Sequence, residues 1–497
     1  MKSSVYSYDV FDTLIARNVE KPTDIFNIIE KNKPYLNFKE LRIESEKING
    51  KSLTTIYKEF QKLTNETDEK IEELKNFEIQ TEINNSYLIM TNVNLVKDGD
   101  ILISDMYLSN IEIYKILNSL GFNKNVTIFS SSIGISKSNG LLYLSVLNDF
   151  DIKLHTGDNI YSDVYMANLF NIPSQLTTLH SINSTEQFFI KNINNHFGFL
   201  LRKFRLQNPY VENSLEFKLY NDQAIINIPL LVLISFYLQL LLINENRTTI
   251  LFATRDSCLL KIIFETLFPY VSVKSYQVSR IVNKTANKEY ENYLLKLYDH
   301  STCIIFDGHG SFNSGRKLFI NIFNLLPRIH IFSLANYKNL YFKDLTYNIK
   351  HGNNNFELFN VDTVGSLIDL KNGNFIRDEI TGYKKENAEI YKDTIHRFCL
   401  FINKENNSIM NLFNNVDIHS IIIKFNDAIY KNASSNIIEN IDDFFNNDFK
   451  ISSKSNAKTT PVSSKPSINS TPVSSKPSIK STPVSYISNK TMKMQIF

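Results

Sequence analysis

The chain has 497 residues, 43% hydrophobic and 12% aromatic, which is too long for one core and too apolar for wholesale disorder. Its formal charge of +3 hides a split: residues 451–497 hold seven lysines and no acidic side chain, leaving 47 cationic against 51 anionic residues before them. A mildly acidic body argues against nucleic-acid binding as the main function.

Residues 5–15, VYSYDVFDTLI, alternate like a half-buried strand and run into a carboxylate-bearing turn. Helical spacing with Glu/Lys pairs on the outer face predicts successive helices over 23–95, the last running from Asp68 to Met90. From Ile101 the pattern alternates. ILIS is a strand, IEIYKILNSLG a helix, VTIFSSS a strand, GLLYLSVLNDF a helix and KLHTGD a strand entering a turn. Strands alternating with helices imply a parallel sheet covered on both faces. The pattern lapses over 186–220, a connector, and a second α/β domain is expected over 221–379. Its strands are TTILFATRD, SVKSYQVSR, TCIIFDGHG and RIHIFSLAN. A polar-edged helical extension over 380–450 completes the folded body.

The apolar run Ile228–Ile243 falls short of the ~20 residues that span a bilayer, and Pro229, Ser235 and Gln239 interrupt it. A buried helix is expected there, with no stable membrane insertion. The three cysteines, Cys258, Cys303 and Cys399, form no CxxC pair, which excludes a disulfide scaffold and fits a reducing compartment. No positive segment precedes an apolar one at the N-terminus, so a cytoplasmic location is expected. Over 451–497 an 11-residue Ser/Thr/Pro/Lys unit repeats, with Pro461, Pro472 and Pro483 in register, and a disordered cationic tail is expected.

Four short motifs fall at the carboxyl ends of the first domain's predicted strands, where open parallel sheets bind ligands. They are Asp9 in YDVFDTL, Ser104 ending ILIS, Lys137 in GISKSNG, and Asp158 with Asp163 in GDNIYSD. A carboxylate nucleophile, a hydroxyl, an ammonium and an acidic turn suit phosphoryl transfer assisted by Mg²⁺. Taken in order, DxxxTL, a strand ending in Ser, Lys and GDxxxxD resemble the haloacid dehalogenase-like (HAD) hydrolase superfamily. The wording FDTL, SDMYLS and HTGDNIYSD is similar to its members encoded beside bacterial polysaccharide glycosyltransferases. The resemblance implies a Rossmann-like parallel sheet over 1–185 with a helical cap insert at 17–95. It implies Asp9 as the phosphorylated nucleophile and Ser104, Asp105 and Lys137 around the phosphate. It implies Asp9, Phe11, Asp158 and Asp163 as the Mg²⁺ set.

The family's phosphatases carry a second Asp two residues after the nucleophile. Position 11 is Phe, and the nearest carboxylate, Asp12, stands one place later. Asp12 and Asp105 are the two candidates for general acid/base. Dehalogenation ranks below phosphoryl chemistry, because an acidic turn suits a cation better than carbon–halogen cleavage. In the second domain, Arg255, Asp256, Arg280, Asp307 and His309 stand at predicted strand ends and make a candidate anion pocket for a nucleotide or a sugar phosphate. Three functions are therefore expected in this order. The first is an Mg²⁺-dependent phosphatase or phosphotransferase acting on a small phosphorylated metabolite, a sugar phosphate or a nucleotide. The second is a binding protein with weak catalysis, and the third a transferase whose chemistry lies in the second domain. Nothing in the sequence sets the oligomeric state.

Overall fold

A computed structural model describes residues 2–33, 35, 37–131, 134–310, 312–334, 355–405, 409–439 and 444. The repeat over 451–497 lies outside them. The chain divides into two compact units between Pro229 and Leu230.

The first unit is built on a five-stranded parallel sheet. Its strands are β1 (Ser3–Tyr8), β4 (Ile101–Ser104), β5 (Thr127–Ser130), β6 (Phe150–Gly157) and β7 (Ser174–Leu176), in the order β5-β4-β1-β6-β7. All four residues of β4 are buried, as expected for a strand covered on both faces. Between β1 and β4 the chain makes an antiparallel ribbon, β2 (Ile15–Arg17) with β3 (Ser86–Leu88), carrying helices α1 (Asp24–Asn32), α2 (Phe38–Asn49), α3 (Leu53–Thr64) and α4 (Asp68–Asn84). Phe26, Phe38, Tyr57 and Phe60 from α1–α3 share one core cluster with Leu74 and Ile79 of α4.

Two expectations change here. The helix expected to reach Met90 stops at Asn84, because Ser86–Leu88 is wholly buried and pairs with Ile15–Arg17. Long-range pairing overrides the helical pattern. The connector over 186–220 contains helices Ser184–Asn192, Asn195–Arg205 and Leu215–Asn221. Glu186 and Arg205 are buried and joined at 2.6 Å, and Arg202 is buried with Nη1 donating to the Arg17 carbonyl at 2.8 Å. Buried charges on these helices blur the apolar periodicity.

The second unit has its own four-stranded parallel sheet, ordered β11-β10-β8-β9. These are β8 (Thr249–Ala253), β9 (Ser272–Tyr276), β10 (Cys303–Gly310) and β11 (Ile329–Leu334). A hairpin of β12 (Leu367–Lys371) and β13 (Asn374–Arg377) turns at Asn372 and Gly373, with φ of 52° and 75°. That is the Asn-Gly turn favoured by tight hairpins, and no strand was expected there. Helices Lys385–Lys404 and Ile418–Ala428 follow. The run Leu215–Asn244 is long and apolar enough to cross a membrane by length and composition, a test that core helices also pass. Its Phe236 ring lies 5.3 Å from that of Phe268 and 4.3 Å from that of Phe413.

Candidate active site

Strand order positions the site. The chain leaves β1 towards β4 and β5 on one side and returns to β6 on the other, so the crevice between the carboxyl ends of β1 and β6 is a topological switch point. Tyr8 pairs with Thr156, and the Asp9 amide donates to the Thr156 carbonyl at 2.8 Å. Asp158 follows β6 directly. Asp163 lies in a π-helical turn, Ile160–Tyr165, capped by the Asn159 side chain. One carboxylate oxygen from each of Asp9, Asp158 and Asp163 lies within 4.8 Å of the others. Gly157 permits this approach, since a Cβ there would sit 2.3 Å from Cγ of Asp163.

Lys137 lies in a turn just before the helix Leu141–Leu147, not at its start. Its buried ammonium donates to Asp9 and, at 2.6 Å, to Asp163. Asp163 also meets His155 Nε2 at 3.2 Å, while His155 Nδ1 meets the Ser7 hydroxyl at 2.8 Å. His155 thus buttresses Asp163 from within the sheet, a role its place in the strand did not announce. Ser104 is buried at the end of β4, beside β1, and its hydroxyl accepts from the Met106 amide at 3.3 Å.

The two acid candidates are placed very differently. Asp105 accepts from the Lys137 amide at 2.6 Å and the Ser138 amide at 3.1 Å, so both its oxygens hold the lysine turn. Asp12 has φ of 59°, and its amide donates to the Ile15 carbonyl at 2.7 Å. After burial, the charge of Asp12 is the strongest influence on Asp158, which is pushed up to about 6. Asp12 also acts electrostatically on Arg17, Tyr87 and His180. Around it, Thr13 Oγ1, Arg17 Nη2, Tyr87 OH and His180 Nδ1 are buried without hydrogen-bond partners. Phe11 is buried with Arg17 over its ring at 4.4 Å, so only its main-chain carbonyl could serve a cation.

The site holds three carboxylates and one ammonium, which touches Asp9 and Asp163. Burial, against the pull of Lys137, lifts Asp9 to about 7, whereas Lys137 and His155 hold Asp163 well below the usual carboxylate range. The donor set of Asp9, Asp158 and Asp163 is all oxygen, with Asp9 and Asp163 buried and Asp158 half-buried, and it is short of positive charge, a chemistry that fits a hard divalent cation. No family model matches the chain, and no relative is found among curated proteins.

The second unit repeats the switch-point geometry. Arg255 and Asp256 follow β8, but Asp307 and His309 belong to β10 itself and not to the loop beyond it. Arg280 opens the helix Arg280–Thr285, four residues past the end of β9. Between these ends lies a cavity of about 290 Å³, lined by all five residues.

Proposed function

We propose that the first unit is an Mg²⁺-dependent phosphatase or phosphotransferase of the HAD type, acting on a small phosphorylated metabolite through an aspartyl phosphate. The observation that carries this reading is the convergence of Asp9, Asp158 and Asp163 with the Lys137 ammonium at one switch point. The Asp9 carboxylate attacks phosphorus, and the bond from phosphorus to the leaving oxygen breaks. Asp12 gives that oxygen a proton. Water, or a second alcohol in phosphotransfer, then attacks the aspartyl phosphate while Asp12 takes its proton, and Asp9 is released. Lys137 and Ser104 hold the transferring oxygens. Mg²⁺ bound by Asp9, Asp158 and the Phe11 carbonyl, with Asp163 behind, would offset the repulsion between a carboxylate and a phosphate. In this reading the helices α1–α4 cap the site. Unpartnered buried polar atoms around Asp12 favour a polar leaving group.

A second reading, a phospholigand-binding protein with weak catalysis, draws on Phe11 at the position of the family's usual acid. A screen of phosphorylated metabolites with Mg²⁺, against an Asp9→Asn control, separates the two. Phosphate release by the wild type alone supports the enzyme. Binding without release, in both proteins, supports the alternative.

A further inference from the structure

The cavity in the second unit belongs to a different sheet from Asp9. The chain passes from β8 to β9 on one side and then returns to β10 on the other, so the cavity lies at this sheet's own switch point. The loop after β8 is tied to β10, since the Gly308 amide donates to the buried Ser257 hydroxyl at 3.1 Å. Gly308 itself must be small, because a Cβ would sit 2.3 Å from the Phe356 ring. The walls are built.

Charge across the cavity is graded. Arg280 and Lys284 lie on one short helix, four residues apart and exposed, and Arg255 joins them from the β8 loop. On the sheet side, burial, with Arg280 nearby, pushes His309 down to about 4, so the ring is neutral. Burial and the charge of Asp256 push Asp307 up to about 8, so at neutral pH its carboxyl group mostly keeps its proton. Arg280 and Lys284 lie towards solvent and Asp307 and His309 towards the sheet, where the Glu357 carboxylate also lines the cavity, 3.8 Å from His309 Nε2. Among the described residues the one cluster of three carboxylate or imidazole ligands close enough for a cation is Asp9, Asp158 and Asp163.

We propose that this cavity is a second ligand site that takes a small sugar phosphate. Arg280, Lys284 and Arg255 take the phosphate, and Asp256, Asp307 and His309 hydrogen-bond the sugar hydroxyls. Ligand pockets commonly span about 300–1,000 Å³. At about 290 Å³ this one suits a monosaccharide phosphate better than a dinucleotide.

The test is calorimetric titration of the full chain, without divalent cations, with ribose 5-phosphate, glucose 6-phosphate, inorganic phosphate and ribose. At least one sugar phosphate is expected to bind at least ~10-fold tighter than inorganic phosphate, with ribose weaker still. The double variant Arg280→Ala, Lys284→Ala should lose at least ~10-fold in affinity while its circular dichroism spectrum stays that of the wild type, because both side chains are exposed. Asp9→Asn should bind as the wild type does. Absence of sugar-phosphate binding, equal affinity for inorganic phosphate, or binding lost in Asp9→Asn and kept in the double variant would each overturn the proposal. The last outcome would assign the binding to the first unit and leave the reading of Asp9 standing.

Discussion

Two aspartates one position beyond motif residues, Asp12 and Asp105, have opposite surroundings. Asp105 has both oxygens occupied by main-chain amides of the lysine turn, whereas Asp12 bears on Asp158 and on a set of unpartnered polar atoms. Asp12→Asn is therefore expected to slow turnover by at least ~10²-fold while inhibition by inorganic phosphate stays unchanged. Asp105→Asn should instead weaken phosphate inhibition and lower the melting temperature, because it loosens the turn that carries Lys137. Steady-state kinetics with phosphate as inhibitor distinguishes the two. Asp307 offers a pH test. Its folded-state value, raised to about 8, lies above the ordinary 3.8, so its neutral form favours the fold fully below 3.8. That contribution is lost as pH rises towards 8, where the carboxylate faces burial and Asp256. Asp307→Asn should raise the melting temperature at pH 8 and leave it nearly unchanged at pH 4, as read by thermal unfolding at both.

At the scale of elements, α4 links the helical insert to the motif loop after β4. Glu78 accepts from Arg42 Nε and Nη2, both at 2.8 Å, from Tyr57 OH at 2.9 Å and from Tyr107 OH at 3.2 Å. Arg42 is fully buried and stacks near Phe26 and Tyr107. Removing one partner of such a pair leaves a desolvated charge, so Glu78→Ala is expected to destabilise the protein by about 3–5 kcal/mol in urea unfolding. Tyr107 lies three residues past Ser104, and its carbonyl accepts from the Leu53 amide at 2.9 Å. The same variant should consequently raise KM as well. In the sequence, these Glu and Arg residues look like solvated faces of amphipathic helices. Glu78 and Glu82, one turn apart on α4, instead face inward to Arg42 and Arg17.

For the molecule as a whole, two sheets with separate cores each bring acidic and basic residues to a switch point. They differ in charge. The first is short of cations and the second is not, so divalent binding should act through the first. Mg²⁺ at ~100 times its dissociation constant is expected to add about 2.7 kcal/mol to the stability of the unit that binds it, seen as a rise in its melting temperature. Asp158→Asn should abolish that rise. Without Mg²⁺ the same variant should melt higher than wild type, because it relieves repulsion from Asp12 and Asp163.

The order and type of most elements were legible from local pattern. Alternation of period two against spacing of 3.6, with strands and helices taking turns, already specifies parallel α/β sheets, because each segment's own residues select its backbone. The positions of Asp9 and Asp158 at strand ends were legible for the same reason. What neighbours in sequence cannot encode is which strands lie side by side. Asp9 and Asp158 meet because β1 pairs with β6 across 140-odd residues, and their shifted acidities arise from burial among three carboxylates and one ammonium. Ser86–Leu88 became a strand through its pairing with Ile15–Arg17. Asp105 became a clamp because its neighbours in space are the amides of Lys137 and Ser138, thirty residues on. Periodicity is a property of a segment. Convergence, burial and charge balance are properties of the packed chain, and those decide the chemistry of this protein.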